Sequence, residues 1–407
     1  MERRYLAGTG GIFDGSRWHP PATCLVLDEA NRVIAVEQPA LHTDVQRMPG
    51  LLVPGLVNAH MHLELAHLHG KIASGTGLPV FLKEVMRHRT VETEDSGCKE
   101  AMQQLDKELT EQGVVVAADI CNTPNSVPIK ASSAIRWYSF IEVAGVDPAT
   151  ALTRISNALQ LRAFFQTMLP GQPRPTLVPH APYSVSPALW EYLNDASLDQ
   201  LLTIHNQESP EEDRWMERGK GPFGDFFDAV GITRKFHIPS GKPSLESWLP
   251  RLTKGQQLLL VHNTFMPEAS LDFLLDYATG TLRQSPTVVL CPLANQYIED
   301  ALPPANMFFE RSVRIALGTD SLASNHTLHM LAEMRALLRL PSRKFNWLDV
   351  LHWATLSGAQ ALRCDDQYGS FEAGKSPGVV LITEADGQGC TAESTSQLVV
   401  PTGLTLA

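Results

Sequence analysis

The sequence predicts a (β/α)8 barrel carrying a small β-sandwich domain built from both chain ends. Three observations predict it: eight short apolar strand candidates, amphipathic helical stretches between most of them, and β-rich segments at the two termini. Length agrees, because 407 residues accommodate a barrel of about 250 residues with a smaller companion.

Residues 1–50 read as strands and turns, "YLAGTGGIFDGS" and then "TCLVLDEANRVIAVE", with Gly, Asp and Asn between apolar runs. From residue 51 the pattern changes. The strand candidates are "LLVPGLVNAH", "GVVVAADI", "IRWYSFIEVAG", "TLVPHAP", "LLTIHNQE", "QLLLVHNT", "TVVLCPLAN" and "VRIALGTDS". Helical intervals such as "CKEAMQQLDKELTEQG" and "ALTRISNALQLRAFFQTML" separate them, which favours a barrel over a doubly wound sheet. Residues 209–257, rich in Pro, Gly and charge, read as a long insertion after the fifth strand, in the manner of a lid. The tail segments "GSFEAGKSPGVVLITEA" and "TSQLVVPTGLTLA" return to strand. Residues 1–50 and 369–407 are therefore expected to form the sandwich, and 51–368 the barrel.

Composition excludes several roles. The net charge of -11, with no basic block, argues against a nucleic-acid partner. No run of about 18 apolar residues occurs, so no membrane span is expected. Six cysteines lie far apart without a CxxC pair, which favours a reducing compartment. The N-terminus lacks the apolar core of a secretory signal. The expected location is cytoplasmic and the expected partner a small-molecule substrate; the assembly state stays open, a homodimer included.

In such a barrel, chemistry sits at the C-terminal ends of the strands. His60 and His62 close the first strand, His180 the fourth, His205 the fifth with Glu208 beyond it, His262 the sixth and Asp320 the eighth. His60 and His62 are two apart and so share one face of an extended strand. Neutral imidazoles so placed suit Zn²⁺ or Fe²⁺, although an HxH alone is as readily a chance surface pair. His205 and Glu208 are three apart and reach one site only if the chain turns between them, for which "HNQESPEED" supplies the polar, Pro-containing chemistry. Glu211, Glu212 and Asp213 read as a solvated acidic loop.

Taken alone, Asp320 in "IALGTDSLASN" reads as a helix cap and His262 as a satisfied core histidine. Together they read differently, because each falls at the same end of a successive strand. Three His and one Asp make a mononuclear centre with a position open for water. A neighbouring carboxylate, Glu208, is placed to carry a proton to a leaving nitrogen, and His262 to orient the nucleophile or polarise the electrophilic centre. Glu208, His262 and Asp320 are the catalytic candidates.

The segments "PGLVNAHMH", "PHAPYSVS", "HNQE", "VHN", "CPLAN" and "LGTDSLASN", in this order, resemble the amidohydrolase superfamily. More narrowly they look like its branch of adenosine-type and S-adenosylhomocysteine-type deaminases and triazine chlorohydrolases. "HLELAH", "IHNQE" and "LANQYIEDALPP" look closest to bacterial aminodeoxyfutalosine deaminases. The resemblance implies one divalent metal, zinc or iron, on His60, His62, His205 and Asp320. It implies an acid/base pair in Glu208 and His262, and a pocket lined by His180 and Asn295. The fourth strand carries no lysine, in keeping with one metal rather than two. Two departures stand out: Glu64 where a small or apolar residue is common, and Ser376-Pro377-Gly378 where an Ala-Asp pair is common.

If the first strand continues extended, Glu64 faces the same side as His60 and His62 and is a candidate either to contact substrate or to support one of the histidines from behind. Ser321 beside Asp320 joins that set. Arg87 and Arg89 in "FLKEVMRHR" are candidates for a substrate carboxylate, against the plainer reading as solvated helix charges. The expected activity is hydrolytic deamination of a purine nucleoside-type or related N-heterocycle with release of ammonia. The alternatives are a triazine-type chlorohydrolase or cyclic amide hydrolase using the same site, and a non-catalytic ligand-binding barrel.

Overall fold

The computed structural model describes residues 3–92, 96–253, 255–282 and 285–402. Eight parallel strands form the centre, in two sheets of four. The first sheet holds Leu56–Met61, Val114–Cys121, Arg136–Val143 and Thr176–Pro179, each paired in parallel with the next. The second holds Leu201–Asn206, Gln257–His262, Thr287–Leu290 and Arg314–Leu317, paired likewise. Strands such as Val114–Cys121 are buried along their whole length, as parallel strands covered by helices must be.

Backbone bonds stitch both seams between the two sheets. At one, His205 N donates to His180 O at 3.0 Å; at the other, Thr319 N and Asp320 N donate to His60 O at 3.0 and 3.1 Å. Helices Ser96–Gln112, Ala151–Met168, Pro187–Ala196 and Glu268–Thr281 supply crossovers, and the expected eight-stranded (β/α)8 barrel is the result. No described helix is long and apolar enough to cross a membrane.

The expected first strand, residues 51–60, is in fact two. Leu51–Pro54 pairs with Val379–Ile382 in a five-stranded sheet of the chain ends, while Leu56–Met61 enters the barrel. The break falls at Gly55, where a Cβ would meet Pro377 O and a Val115 methyl at 2.4 Å. Pattern could not reveal it, because both halves are equally apolar. A four-stranded sheet of residues 4–48 packs with the five-stranded one through Leu6, Leu25, Leu52 and Leu381, all buried.

One buried ion pair braces the barrel behind its first two strands. Lys130 Nζ lies 2.6 Å from Asp119 Oδ2, and both side chains are 0% exposed. The lysine also donates to Ser139 Oγ at 3.0 Å, and the other aspartate oxygen accepts from Leu63 N at 2.7 Å. Removing one partner of a buried pair strands a charge, which costs far more than the pair itself contributes. Lys130→Ala is therefore expected to lower the unfolding free energy by about 3–5 kcal/mol, read by urea denaturation; an unchanged midpoint contradicts the bracing role.

Candidate metal centre

The strand ends bring the expected histidines together. Ligand atoms of His60, His205, His262 and Asp320 all lie within 4.8 Å of one another. His62 Nε2 is 3.2 Å from Asp320 Oδ1 and 3.3 Å from His205 Nε2, and His60 Nε2 is 3.4 Å from the same Asp320 oxygen. Three backbone conformations aim these groups. His262, Asn263 and Asp320 all have φ between 53° and 69°, a left-handed state costly for residues other than glycine and common at functional sites.

Hydrogen bonds sort the histidines. His205 Nδ1 donates to His180 O at 2.8 Å, so its Nε2 lone pair faces the centre, the usual arrangement for a metal ligand. The Asn295 amide nitrogen lies 2.9 Å from His262 Nδ1; that nitrogen accepts, and the His262 proton sits on Nε2. His262 thereby offers a donor where His205 offers a lone pair. Its Nε2 is 3.6 Å from Glu208 Oε1. His60 Nε2, fully buried, makes no hydrogen bond among the described residues.

Electrostatics agree with that sorting. Burial holds His60 and His205 below the usual imidazole range and pushes His262 down to about 3, leaving neutral rings, whereas at His62 burial is outweighed by Asp320 and the other carboxylates nearby, which lift it above that range. Burial opposes ionisation of Asp320, but the imidazoles of His60 and His62 beside it prevail and keep it a carboxylate. Burial, reinforced by Asp320 and Glu212, drives Glu208 well above the usual carboxylate range. Buried imidazoles gathered around one carboxylate, with His60 Nε2 lacking a hydrogen bond, fit a divalent cation of the zinc or iron type.

The question of His205 and Glu208 resolves at Gln207. Its φ of 43° turns the chain after the strand and swings Glu208 back beside His262. Glu212, expected in a solvated loop, is instead 0% exposed, in the first turn of helix Pro210–Arg218.

A cavity of about 530 Å³ opens over the centre, with His62, His180, His205, Glu208, Asp320 and Ser321 on its wall. Phe81 and Val85 from helix Leu78–Glu92 and Phe226, Phe227 and Phe236 from the insertion form its apolar side. Asn295 is buried behind His262 and acts on it rather than lining the cavity. Glu64 also departs from expectation. Leu63–Leu68 is a 3-10 turn rather than extended strand, and the Glu64 carboxylate accepts from Asn122 N and Thr123 N at 3.3 and 3.1 Å. Arg87 pairs with Glu84 on an exposed helix face, and the Arg89 side chain lies outside the described residues.

One wall residue escaped the sequence reading. Glu142, at the end of the third strand, lies on the cavity with Oε2 accepting from Asn122 Nδ2 at 2.9 Å and Oε1 3.9 Å from His205 Nδ1. Its signal was present: a carboxylate next to last in the apolar strand "RWYSFIEV".

A family model described as the amidohydrolase family matches residues 51–396. A relative named aminodeoxyfutalosine deaminase, from Nitratiruptor, is 26% identical over 83% of this chain and 80% of its own length. Among solved structures, aminofutalosine deaminase from Helicobacter pylori in complex with methylthio-coformycin superposes with a TM-score of 0.77 at 21% identity, covering 93% of this chain and 92% of that one. An adenosine deaminase from Xanthomonas campestris with bound zinc gives a TM-score of 0.69 at 20% identity, covering 93% and 84%.

Behind the centre, Glu333 accepts from Leu293 N and Asn325 Nδ2 at 2.9 and 2.8 Å, bracing the start of the helix Pro292–Glu299 that carries Asn295 and the loop that follows Asp320. Burial raises its carboxyl from 4.5 to about 8. The folded-state value lies above the unfolded one, so the folded protein holds the extra proton between them and stability falls as pH rises through that window. The unfolding midpoint of the protein is expected to drop from about pH 5 to about pH 8 more steeply than that of Glu333→Gln. Equal slopes in the two proteins would falsify this.

Proposed function

The chain belongs to the amidohydrolase family, and on that premise we propose that it deaminates an adenine nucleoside by hydrolysis, releasing ammonia. It is a hydrolase acting on C–N bonds of cyclic amidines, and its family uses a divalent metal. The observation that carries the reading is the convergence of His60, His62, His205 and Asp320 beside the buried Glu208–His262 pair.

His60, His62, His205 and Asp320 would hold one cation, zinc by its donor set and in keeping with the zinc-bound Xanthomonas structure. Bound there, the cation supplies Lewis acidity that lowers the pKa of water toward ~7. Glu208 takes a proton from the attacking water and delivers it to the exocyclic nitrogen as the C–N bond breaks. Its raised pKa suits both halves of that transfer. His262 Nε2–H points into the same volume and donates to the oxygen growing on the attacked carbon. Glu142 and His180 offer polar contacts on the cavity wall, and the phenylalanines an apolar surface for the rest of the substrate. The six widely spaced cysteines, without a CxxC pair, support a cytoplasmic setting.

The relatives' names favour nucleosides over triazines or cyclic amides, and an ammonia-release panel of all three separates the readings. Adenine nucleosides, including aminodeoxyfutalosine, are expected to be turned over. Chelation is expected to abolish turnover and added zinc to restore it; full activity in metal-free protein would sink the mechanism. Glu208→Gln is expected to lose at least about 100-fold in kcat while elemental analysis still finds the metal, and a variant as active as the parent rules Glu208 out as proton carrier.

A further inference from the structure

The turn that delivers Glu208 is held from behind. Glu212 is four residues further on, in helix Pro210–Arg218, whose N-cap Ser209 accepts from Glu211 N. An ordinary capping box would send the Glu212 carboxylate back to the N-cap amide. Here it reaches past it: Oε1 accepts from Gln207 N at 2.9 Å and Oε2 from Glu208 N at 3.4 Å. Those are the left-handed residue of the turn and the proton carrier itself.

A third donor comes from the insertion. Ser244 Oγ donates to Glu212 Oε1 at 2.6 Å, and Ser244 N to Asp213 Oδ1 at 2.7 Å. The same short helix, Ser244–Trp248, grips the turn a second time, because Trp248 Nε1 donates to Asn206 Oδ1 at 3.1 Å. Glu212, Ser244 and Asn206 are all 0% exposed. Glu212 is off the cavity wall, whereas the insertion also presents Phe226, Phe227 and Phe236 to the cavity. A fully buried carboxylate is costly unless its bonds are specific; two of these three hold the turn and the third ties it to the insertion.

We propose that Glu212 is a positioning residue for Glu208, and that Ser244 couples its seat to the insertion, so that the segment contacting substrate also holds the proton carrier in place. The proposal rests on the deaminase reading for its kinetic consequence. An ångström of misplacement at a reacting group costs on the order of 100-fold in rate without loss of binding.

The test uses the metal-loaded full chain as parent, Glu212→Gln, Glu212→Ala and Ser244→Ala, with adenosine as substrate probe. Expected are a kcat loss of about 100-fold for the alanine at 212 and a smaller loss for glutamine, which keeps one acceptor. For Ser244→Ala a loss of several-fold is expected, with KM and metal content near parental values throughout. Hydrogen exchange followed by mass spectrometry is expected to show faster exchange in the peptide spanning residues 203–212. Undiminished kcat in a folded Glu212 variant, or a loss that tracks metal content, overturns the proposal. If Glu212→Ala does not fold, the other two variants decide it. If the parent deaminates no nucleoside, the deaminase reading falls, and exchange in residues 203–212 still decides whether the clasp exists: unchanged exchange in all variants overturns it.

Discussion

Both seams of the barrel run through the metal centre, and much else follows from that. His60 closes one seam through its carbonyl while its imidazole faces the centre; Asp320 is the partner on both counts. At the other seam His180 O accepts twice from His205, once from the backbone and once from Nδ1. The candidate ligands are therefore placed by the bonds that join the two sheets. A cation drawing His60, His205 and Asp320 together would also draw the sheets together, so metal affinity and barrel integrity are linked quantities here.

How much of this was legible in the sequence depends on whether the information was local. His60 and His62 were legible because strand periodicity alone puts them on one face. The coincidence of polar residues at successive strand ends located His205, His262 and Asp320 without any knowledge of loops. Glu208 needed a turn that Ser209-Pro210 made plausible, and the left-handed Gln207 realises it. Three carboxylates near the centre were harder to read, because at least one partner of each is distant in sequence. Glu212 looked solvated because its neighbours Glu211 and Asp213 are charged; only Ser244, 32 positions away, shows why it is buried. Glu64 was misassigned by extending a strand that actually ends at Met61. Glu142 was passed over inside an apolar strand, although its end position carried the same signal as the histidines.

Those carboxylates share a physical role. The C-terminal ends of parallel strands expose backbone N–H groups to loops too irregular to satisfy them within regular structure. Glu64 takes Asn122 N and Thr123 N after the second strand, and Asp119 takes Leu63 N after the first. Glu212 takes Gln207 N and Glu208 N after the fifth, and Glu333 takes Leu293 N after the seventh. At each of these ends a buried or nearly buried carboxylate does what a ladder would do inside a sheet.

This arrangement explains why so much acidity gathers around a centre that must itself keep an anion, Asp320, ionised. Each bracing carboxyl is committed to backbone donors or, for Asp119, to Lys130, and burial raises Glu212 and Glu333 to about 8, so these two add little charge beside the candidate cation site. Glu208 is the exception. It accepts from no backbone amide among the described residues, faces the cavity, and is pushed up by burial and by Asp320 and Glu212. Glu333 is raised as well, to about 8, but its oxygens are committed to Leu293 N and Asn325, so what sets Glu208 apart as the candidate proton carrier is a carboxyl that faces the cavity uncommitted to the backbone.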